Sequence, residues 1–277
     1  MNGAAQAVHA DVMIGQNRMM HILTRAGNRL RRIRYSRDGF RLLNEIARKV
    51  GHPAVTEDLY ASLVMEARSD PELAGLYEMH APRLAELDPR AATDWEGRFL
   101  TRGGIILAAV DLYYVLPRLL KPSICVETGV ASGAMSSFLV AAIHRNAAGH
   151  LYSVDLRSYG ASCGMSWSMP HDLEVGFLVP DAYRDRWSLL SGDATYELPR
   201  LLETLGRIDL FIHDSLHTYS HMMFEYALIA KHITPPAVIV TDDVTANQAF
   251  FRFFEGTNFP IYLHRRNPNL GVAVLGN

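Results

Sequence analysis

The sequence predicts an α/β protein in which about 120 residues of helix lead into a mostly parallel sheet flanked by helices. Two patterns predict it. Before Ser123, apolar residues recur every three or four positions, as one face of a helix requires. From Ser123 onward, short apolar runs alternate with amphipathic stretches, as strands and crossover helices do in a parallel sheet. With 277 residues, 49% of them hydrophobic, the chain can bury one large core, either as a single domain or as a domain with an appendage. Its 27 Lys+Arg against 29 Asp+Glu, and a mean hydropathy of +0.01, exclude disorder and a wholly basic nucleic-acid-coating protein.

Taken in order, the first segment is the most basic. Arg18 to Lys49 holds ten Arg or Lys residues, with only Asp38 and Glu45 as acids. Met19, Ile22, Leu23, Ala26, Leu30 and Ile33 fall on one helical face, with arginines on the other. Such a face is either simply solvated, or a contact for an anionic partner or a second copy in a homodimer. Residues 55 to 120 continue the helical spacing, with Pro71, Pro82 and Pro89 marking turns and Lys121-Pro122 ending the last run. The expected organisation is therefore a helical extension or lid over 1–120 and a sheet domain over 121–277.

In the second part, ICVETGV, LYSVDL, WSLLSGD, IDLFIHD and AVIVTDD read as strands, the first four leading into helices and the fifth into a further one. FPIYLHRR and LGVAVLGN follow closely enough to form a hairpin. Cys125 and Cys163 cannot make a disulfide framework, so a reducing cytoplasm is expected. The N-terminus lacks the pattern of a secretory leader, and the most apolar stretch, Gly104 to Val110, is too short to span a bilayer, so neither secretion nor a membrane partner is expected.

Ligands of an open parallel sheet bind beyond the carboxyl ends of its strands, and those ends are polar here. The first closes in Glu127-Thr128-Gly129-Val130-Ala131-Ser132-Gly133, the second in Asp155, and the third in Gly192-Asp193-Ala194. The fourth closes in His213-Asp214-Ser215-Leu216-His217 and the fifth in Thr241-Asp242-Asp243. Gly129 and Gly133 let a backbone approach a ligand closely, ahead of a helix starting near Ala134. A dinucleotide fingerprint would place a third glycine at Ala131 and an acid about 20 residues on, whereas Asp155 lies 28 after Glu127, which disfavours NAD.

This ordered set, VETGVASGAMSSFL, YSVDL, LLSGDATYELP, IDLFIHDSLHTYSHMMFEY and VIVTDDV, resembles class I S-adenosylmethionine-dependent methyltransferases, in the small-molecule branch of metal-dependent O-methyltransferases. The resemblance runs from about Thr101 to the C-terminus. It implies a Rossmann-like seven-stranded sheet with helices on both faces. It also implies that Glu127, Gly129 and Gly133 line the methionine portion of the cofactor, Asp155 takes the ribose hydroxyls, Asp193 and Ala194 meet the adenine, and Asp214 adjoins the cofactor. Asp155 would otherwise cap a helix. Related enzymes hold Mg²⁺ with an acid after the fourth strand and a pair after the fifth, which implies Asp214, Asp242 and Asp243 as metal ligands. Alternatively, one of these caps a helix and the others are solvated.

The family often reads Asp-Gly-Asp-His after the fourth strand. Here Leu216 replaces the second acid and leaves His217 as the general base. His213, His217 and His221 share a four-residue spacing, but His213 still belongs to a strand, so a zinc face is not expected. In the long connection after Asp155, Tyr159, Trp167 and Met169 either wall the acceptor pocket or anchor the loop. Arg102 is the candidate partner of the cofactor carboxylate.

The expected function is methyl transfer to an oxygen or nitrogen of a small natural-product-like molecule, with Mg²⁺ assistance and His217 as base. Two alternatives stay open. One is a reaction at another carbon of the sulfonium, transferring a different group or cyclising the cofactor with release of methylthioadenosine. The other is a non-catalytic module that binds through the arginine-rich arm, although the lack of net positive charge disfavours nucleic acid.

Overall fold

Eight strands form one sheet in the computed structural model, which describes residues 33–35, 39–87, 110–157, 173–265 and 267–276. They are β1 (Ile33–Tyr35), β2 (Ile124–Thr128), β3 (His150–Asp155), β4 (Trp187–Ser191), β5 (Ile208–His213), β6 (Ile233–Thr241), β7 (Ile261–Leu263) and β8 (Gly271–Leu275). Their order is β1-β7-β8-β6-β5-β2-β3-β4. The seven strands from Ile124 onward make a Rossmann-like, mostly parallel sheet, in which β8 alone runs antiparallel to its neighbours β6 and β7. The chain steps from β2 out to β4, then returns to lay β5 on the other side of β2. Strand order thus reverses between β2 and β5, which is where such sheets open a ligand crevice.

Helices cover both faces. α1 (Gly39–Lys49), α2 (Glu57–Arg68), α3 (Pro71–Leu87), a π-helical turn (Val110–Val115) running into α4 (Leu116–Leu120), and α5 (Ala134–Arg145) lie on one side. α6 (Ala194–Leu205), α7 (Tyr219–Ile229) and α8 (Ala249–Glu255) lie on the other. Successive side chains of a strand point to opposite faces, so Cys125, Leu210 and Ile212 join the first core while Val126 and Phe211 join the second. Burial on both sides explains why these strands read as continuous apolar runs rather than alternating ones.

Two features depart from the helical reading of the N-terminal part. Ile33, expected as the last apolar position of the amphipathic helix, begins β1, which pairs parallel with β7 through Ile33 opposite Ile261 and Tyr35 opposite Leu263. An Ile-Arg-Tyr segment suits a strand, and the outer edge of β7 offers it unpaired backbone groups. Pro82 lies inside α3 rather than at a turn. It is exposed, so the carbonyl that loses its amide partner can turn to water. Pro89 and the arginines up to Arg32 lie outside the described residues.

Buried carboxylates tie the helices to the sheet. Asp111, fully buried in the π-helical turn, accepts from Tyr60 of α2 at 2.8 Å and pairs with His264 beyond β7 at 2.9 Å. Asp70 accepts from Tyr183 at 2.8 Å and Arg145 at 3.2 Å, and caps the first turn of α3 through Leu73 N–H at 3.1 Å. No helix among the described residues is long and apolar enough to cross a membrane.

Gly39 packs so tightly on Asp111 that a Cβ there would sit 1.7 Å from Asp111 Oδ2, on a carboxylate already fixed by Tyr60 and His264. Gly39→Ala is expected to cost about 1–3 kcal/mol through overpacking. Gly75, in the exposed middle of α3, has nothing within 4 Å of the position a Cβ would take, so Gly75→Ala should instead stabilise by about 0.5–1 kcal/mol. Thermal unfolding of the two variants should therefore shift in opposite directions.

Candidate functional site

At the switch point, the carboxyl ends of β2, β3, β4 and β5 surround a cavity of about 470 Å³. Backbone bonds hold these ends in step. Gly129 N–H donates to Val154 O at 3.0 Å, Asp214 N–H to Thr128 O at 2.8 Å, Gly192 N–H to Asp155 O at 2.8 Å, and Asp242 N–H to His213 O at 2.9 Å. Gly129 has φ +85°, and a Cβ there would fall 1.9 Å from the Asp214 carbonyl oxygen, so only glycine lets β2 and β5 close up at this point. Gly133, φ +82°, caps α5, and a Cβ there would crowd the Gly176 Cα at 2.8 Å.

Of the residues expected around the cofactor, Gly129, Asp155, Asp193, Ala194 and Asp214 line the cavity. Asp155 Oδ2 accepts from the amides of Val130 at 2.5 Å and Ala131 at 2.8 Å, so the carboxylate expected at the ribose also fixes the glycine turn. Asp193 does cap a helix: its Oδ1 accepts from the Thr195 hydroxyl at 2.7 Å and amide at 2.8 Å, and these bonds hold its carboxyl below the usual range. Glu127 and Gly133 lie behind the cavity wall. Glu127 is buried beneath Ser136 and Ser153, which both donate to its Oε2 at 2.7 Å, and burial pushes its carboxyl up to about 7 against those bonds.

The acids after β5 and β6 gather at one edge. Burial raises the Asp214 carboxyl well above the carboxylate range, and Asp242 and Glu127 add to the rise. Asp242 is pushed up to about 6, first by burial and then by Asp243. His217 stands between two of them, Nε2 at 3.7 Å from Asp214 Oδ1 and Nδ1 at 3.7 Å from Asp243 Oδ2. Asp242 Oδ1 accepts from the Asp243 amide at 2.8 Å, and Asp243 Oδ1 from Asn269 at 3.3 Å. Among the described residues no three His, Cys, Asp or Glu side chains are placed to hold a metal ion. As arranged, the Asp214, Asp242 and Asp243 set does not fit Mg²⁺, because an imidazole takes the space between carboxylates that a shared cation would bridge.

The residue on which this edge rests was not singled out from sequence. Glu225, fully buried on α7, accepts from Thr128 Oγ1 and His213 Nδ1, both at 2.7 Å, and from Ser215 Oγ and His221 Nε2, both at 2.9 Å. Burial opposes ionisation, yet the bonds from the two imidazoles outweigh it and hold the Glu225 carboxyl at about 2. The evenly spaced histidines thus do converge, with His213 and His221 meeting on a carboxylate rather than a metal. The four-residue step from His221 to Glu225 on one helix was the available signal. Leu216 and His221 also line the cavity. Tyr159, Trp167, Met169, Arg102 and Cys163 lie outside the described residues.

A family model with the description "Methyltransferase domain" matches residues 126–244, which spans β2 to the end of β6 and every cavity-lining residue named above. No curated protein matches the sequence. Among solved structures, the chain is similar to the S-adenosylhomocysteine-bound methyltransferase PaMTH1 of Podospora anserina, at 12% identity and TM-score 0.53, covering 80% of this chain and 97% of that one. It is similar to the O-methyltransferase TomG of Streptomyces achromogenes, involved in tomaymycin synthesis and solved with S-adenosylmethionine, at 14% identity and TM-score 0.50, covering 80% and 100%. An O-methyltransferase from Bacillus cereus in complex with S-adenosylhomocysteine matches at 12% identity and TM-score 0.50, covering 78% and 97%. At such identities the likeness is one of fold. A methyltransferase domain model thus covers residues 126–244, and with them the reversal of strand order at Gly129, on a fold shared with these solved methyltransferases.

Proposed function

We propose that the chain transfers a methyl group from S-adenosylmethionine to an oxygen or nitrogen of a small, natural-product-like acceptor, with His217 as the base. The observation that carries this reading is the adjacency of two features. One is a cofactor-sized cavity walled by the Gly129 turn, Asp155 and Asp193; the other is a half-buried imidazole beside Asp214 whose Nε2 has no hydrogen-bond partner among the described residues. TomG supports the acceptor class by analogy, as an O-methyltransferase of tomaymycin synthesis.

S-adenosylmethionine, when bound, supplies an electrophilic methyl group on a sulfonium. The protein's part is placement and proton removal. The Gly129 turn lets the backbone come close, Asp155 faces the ribose and Asp193 the adenine. His217 Nε2 takes the proton from the acceptor hydroxyl or amine as the new bond to carbon forms, leaving methylated product, S-adenosylhomocysteine and an imidazolium stabilised by Asp243. Burial, with His213 adding to it, lowers the His217 pKa against the pull of Asp243, so the ring is neutral and ready to accept a proton near pH 7. No step is routed through Mg²⁺, given the position of His217 between Asp214 and Asp243. One buried free cysteine, Cys125, whose thiol burial pushes up, suits a reducing cytoplasm.

His217→Ala should lower kcat by about 10²–10⁴-fold while S-adenosylmethionine binding, read by calorimetry, stays within about twofold. Unchanged turnover would remove His217 from the chemistry. Because its pKa is lowered, kcat/KM should be level around neutrality and fall only as pH drops below the ordinary imidazole value of 6.5. A limb centred above that value would contradict the assignment. Mass spectrometry should find S-adenosylhomocysteine, with turnover surviving EDTA; methylthioadenosine as product, or activity restored only by Mg²⁺, would replace this mechanism with one of the alternatives.

A further inference from the structure

The loop that carries His217 is held one residue at a time. The Asp214 amide donates to Thr128 O at 2.8 Å, the Ser215 hydroxyl to Glu225 Oε1 at 2.9 Å, and the Thr218 amide back to Leu216 O at 2.9 Å. Glu225 therefore grips the loop two residues short of His217. Leu216, between them, is 49% exposed, so packing does not supply the rest. The hold on His217 itself comes from the loop after β6, where Asn247 Nδ2 donates to the His217 carbonyl oxygen at 3.1 Å.

Three contacts fix which way the half-buried Asn247 amide faces. Its Oδ1 accepts from the amide of Ala249, the first residue of α8, at 2.7 Å. Its Nδ2 lies 3.1 Å from Sδ of the fully buried Met222, a weak acceptor, as well as from His217 O. An amide nitrogen has two protons and both are used here, whereas the flipped group would set its oxygen against a carbonyl and its nitrogen against an N–H. The platform beneath it is rigid. Phe250, Phe253 and Phe254 of α8 gather around Tyr226 of α7, with ring centroids 6.4, 5.3 and 5.7 Å away. A donor mounted on a packed element keeps its acceptor in place better than one on a free loop. The loop that ends in Asn247 also carries Asp243, whose Oδ2 stands 3.7 Å from His217 Nδ1. One connection thus reaches both the ring and the backbone of the same residue.

We propose that Asn247 is a positioning residue for the base: by tying the His217 carbonyl to the start of α8, it fixes the ring between Asp214 and Asp243. The proposal rests on His217 as the base in the reading above, and it adds a residue from outside the matched domain, residues 126–244.

Imidazole nitrogen–proton correlation spectra of histidine-labelled wild type, Asn247→Asp and Asn247→Ala test it, recorded at about pH 8, above the ordinary imidazole range. The His217 signals are assigned by their loss in His217→Ala. Asn247→Asp keeps an oxygen for the Ala249 amide and replaces the donor to His217 O by a second oxygen; Asn247→Ala removes both bonds and adds no charge. In both variants the His217 ring signals should shift and broaden, while those of His213 and His221, held by Glu225, keep their wild-type positions. S-adenosylmethionine affinity, read by calorimetry, should stay within about twofold. The thermal midpoint of Asn247→Asp should match wild type, and that of Asn247→Ala should fall with the lost cap. Wild-type His217 signals in Asn247→Asp overturn the proposal and leave Asn247 only the start of α8. So do a shift in Asn247→Asp alone, which is the effect of its charge, an equal displacement of all three histidines, or a loss of S-adenosylmethionine affinity. Unchanged turnover in His217→Ala overturns the base reading together with this proposal, whereas unmoved ring signals beside an inactive His217→Ala overturn the role of Asn247 alone.

Discussion

Glu225 is the constraint on which the arrangement of the site depends. A single carboxylate without access to water takes four hydrogen bonds from the end of β2, the end of β5, the loop after it and its own helix. In a parallel sheet nothing in the ladder itself fixes the residues that leave the strand ends at the point where strand order reverses, because the connections diverge to opposite faces there. Glu225 supplies that fixing. Through Thr128 and His213 it clamps the two strands that flank the crevice; through Ser215 and His221 it sets the loop carrying Asp214, Leu216 and His217. Removing one partner from such a buried charged network costs several times more than a surface ion pair contributes, about 3–5 kcal/mol against less than 1. The network therefore specifies one loop geometry more than it adds net stability.

The second constraint is electrostatic and follows from the first. Holding the β5 and β6 ends in register brings Asp214, Asp242 and Asp243 to one edge with Glu127 close behind, and burial and mutual repulsion raise Asp214 and Asp242. Such an edge favours a proton or a positive ligand. A sulfonium that also carries an ammonium would match that demand in the proposed reaction. In the proposed reaction the two states of His217 would be favoured by different groups: burial keeps the resting ring neutral, while Asp243 favours the charged ring.

The sheet was legible because its strands are buried on both faces and end in polar residues, and those two properties are local. Cavity residues such as Gly129, Asp155 and Asp193 were legible for the same reason, being attached directly to strand ends. What escaped depends on side-chain direction or on contacts distant in sequence. Glu127 follows the expected motif but turns inward to Ser136 and Ser153, and spacing carries no information on that rotation. Glu225 reads as one more acid on a helix until Thr128, 97 residues away, is seen to donate to it. The metal assignment treated three carboxylates as a set and did not include the ring of His217 between two of them. β1 was hidden because a three-residue strand is shorter than the window over which helical periodicity can be judged.

The N-terminal helices are locked to the sheet rather than merely packed on it. Their links to the sheet are buried and polar: Asp70 with Tyr183 and Arg145, and Asp111 with Tyr60 and His264. Apolar packing alone would let a helix pair slide by a turn at small cost, whereas a buried carboxylate with two fixed partners admits one register. The π-helical turn sits between these anchors, with Asp111 inside it and Tyr114 pinned to Glu66. Tyr113, in the same turn, is buried, and its hydroxyl has no partner among the described residues. Variation at Asp70 or Asp111 would then be felt in the register of those helices against the sheet.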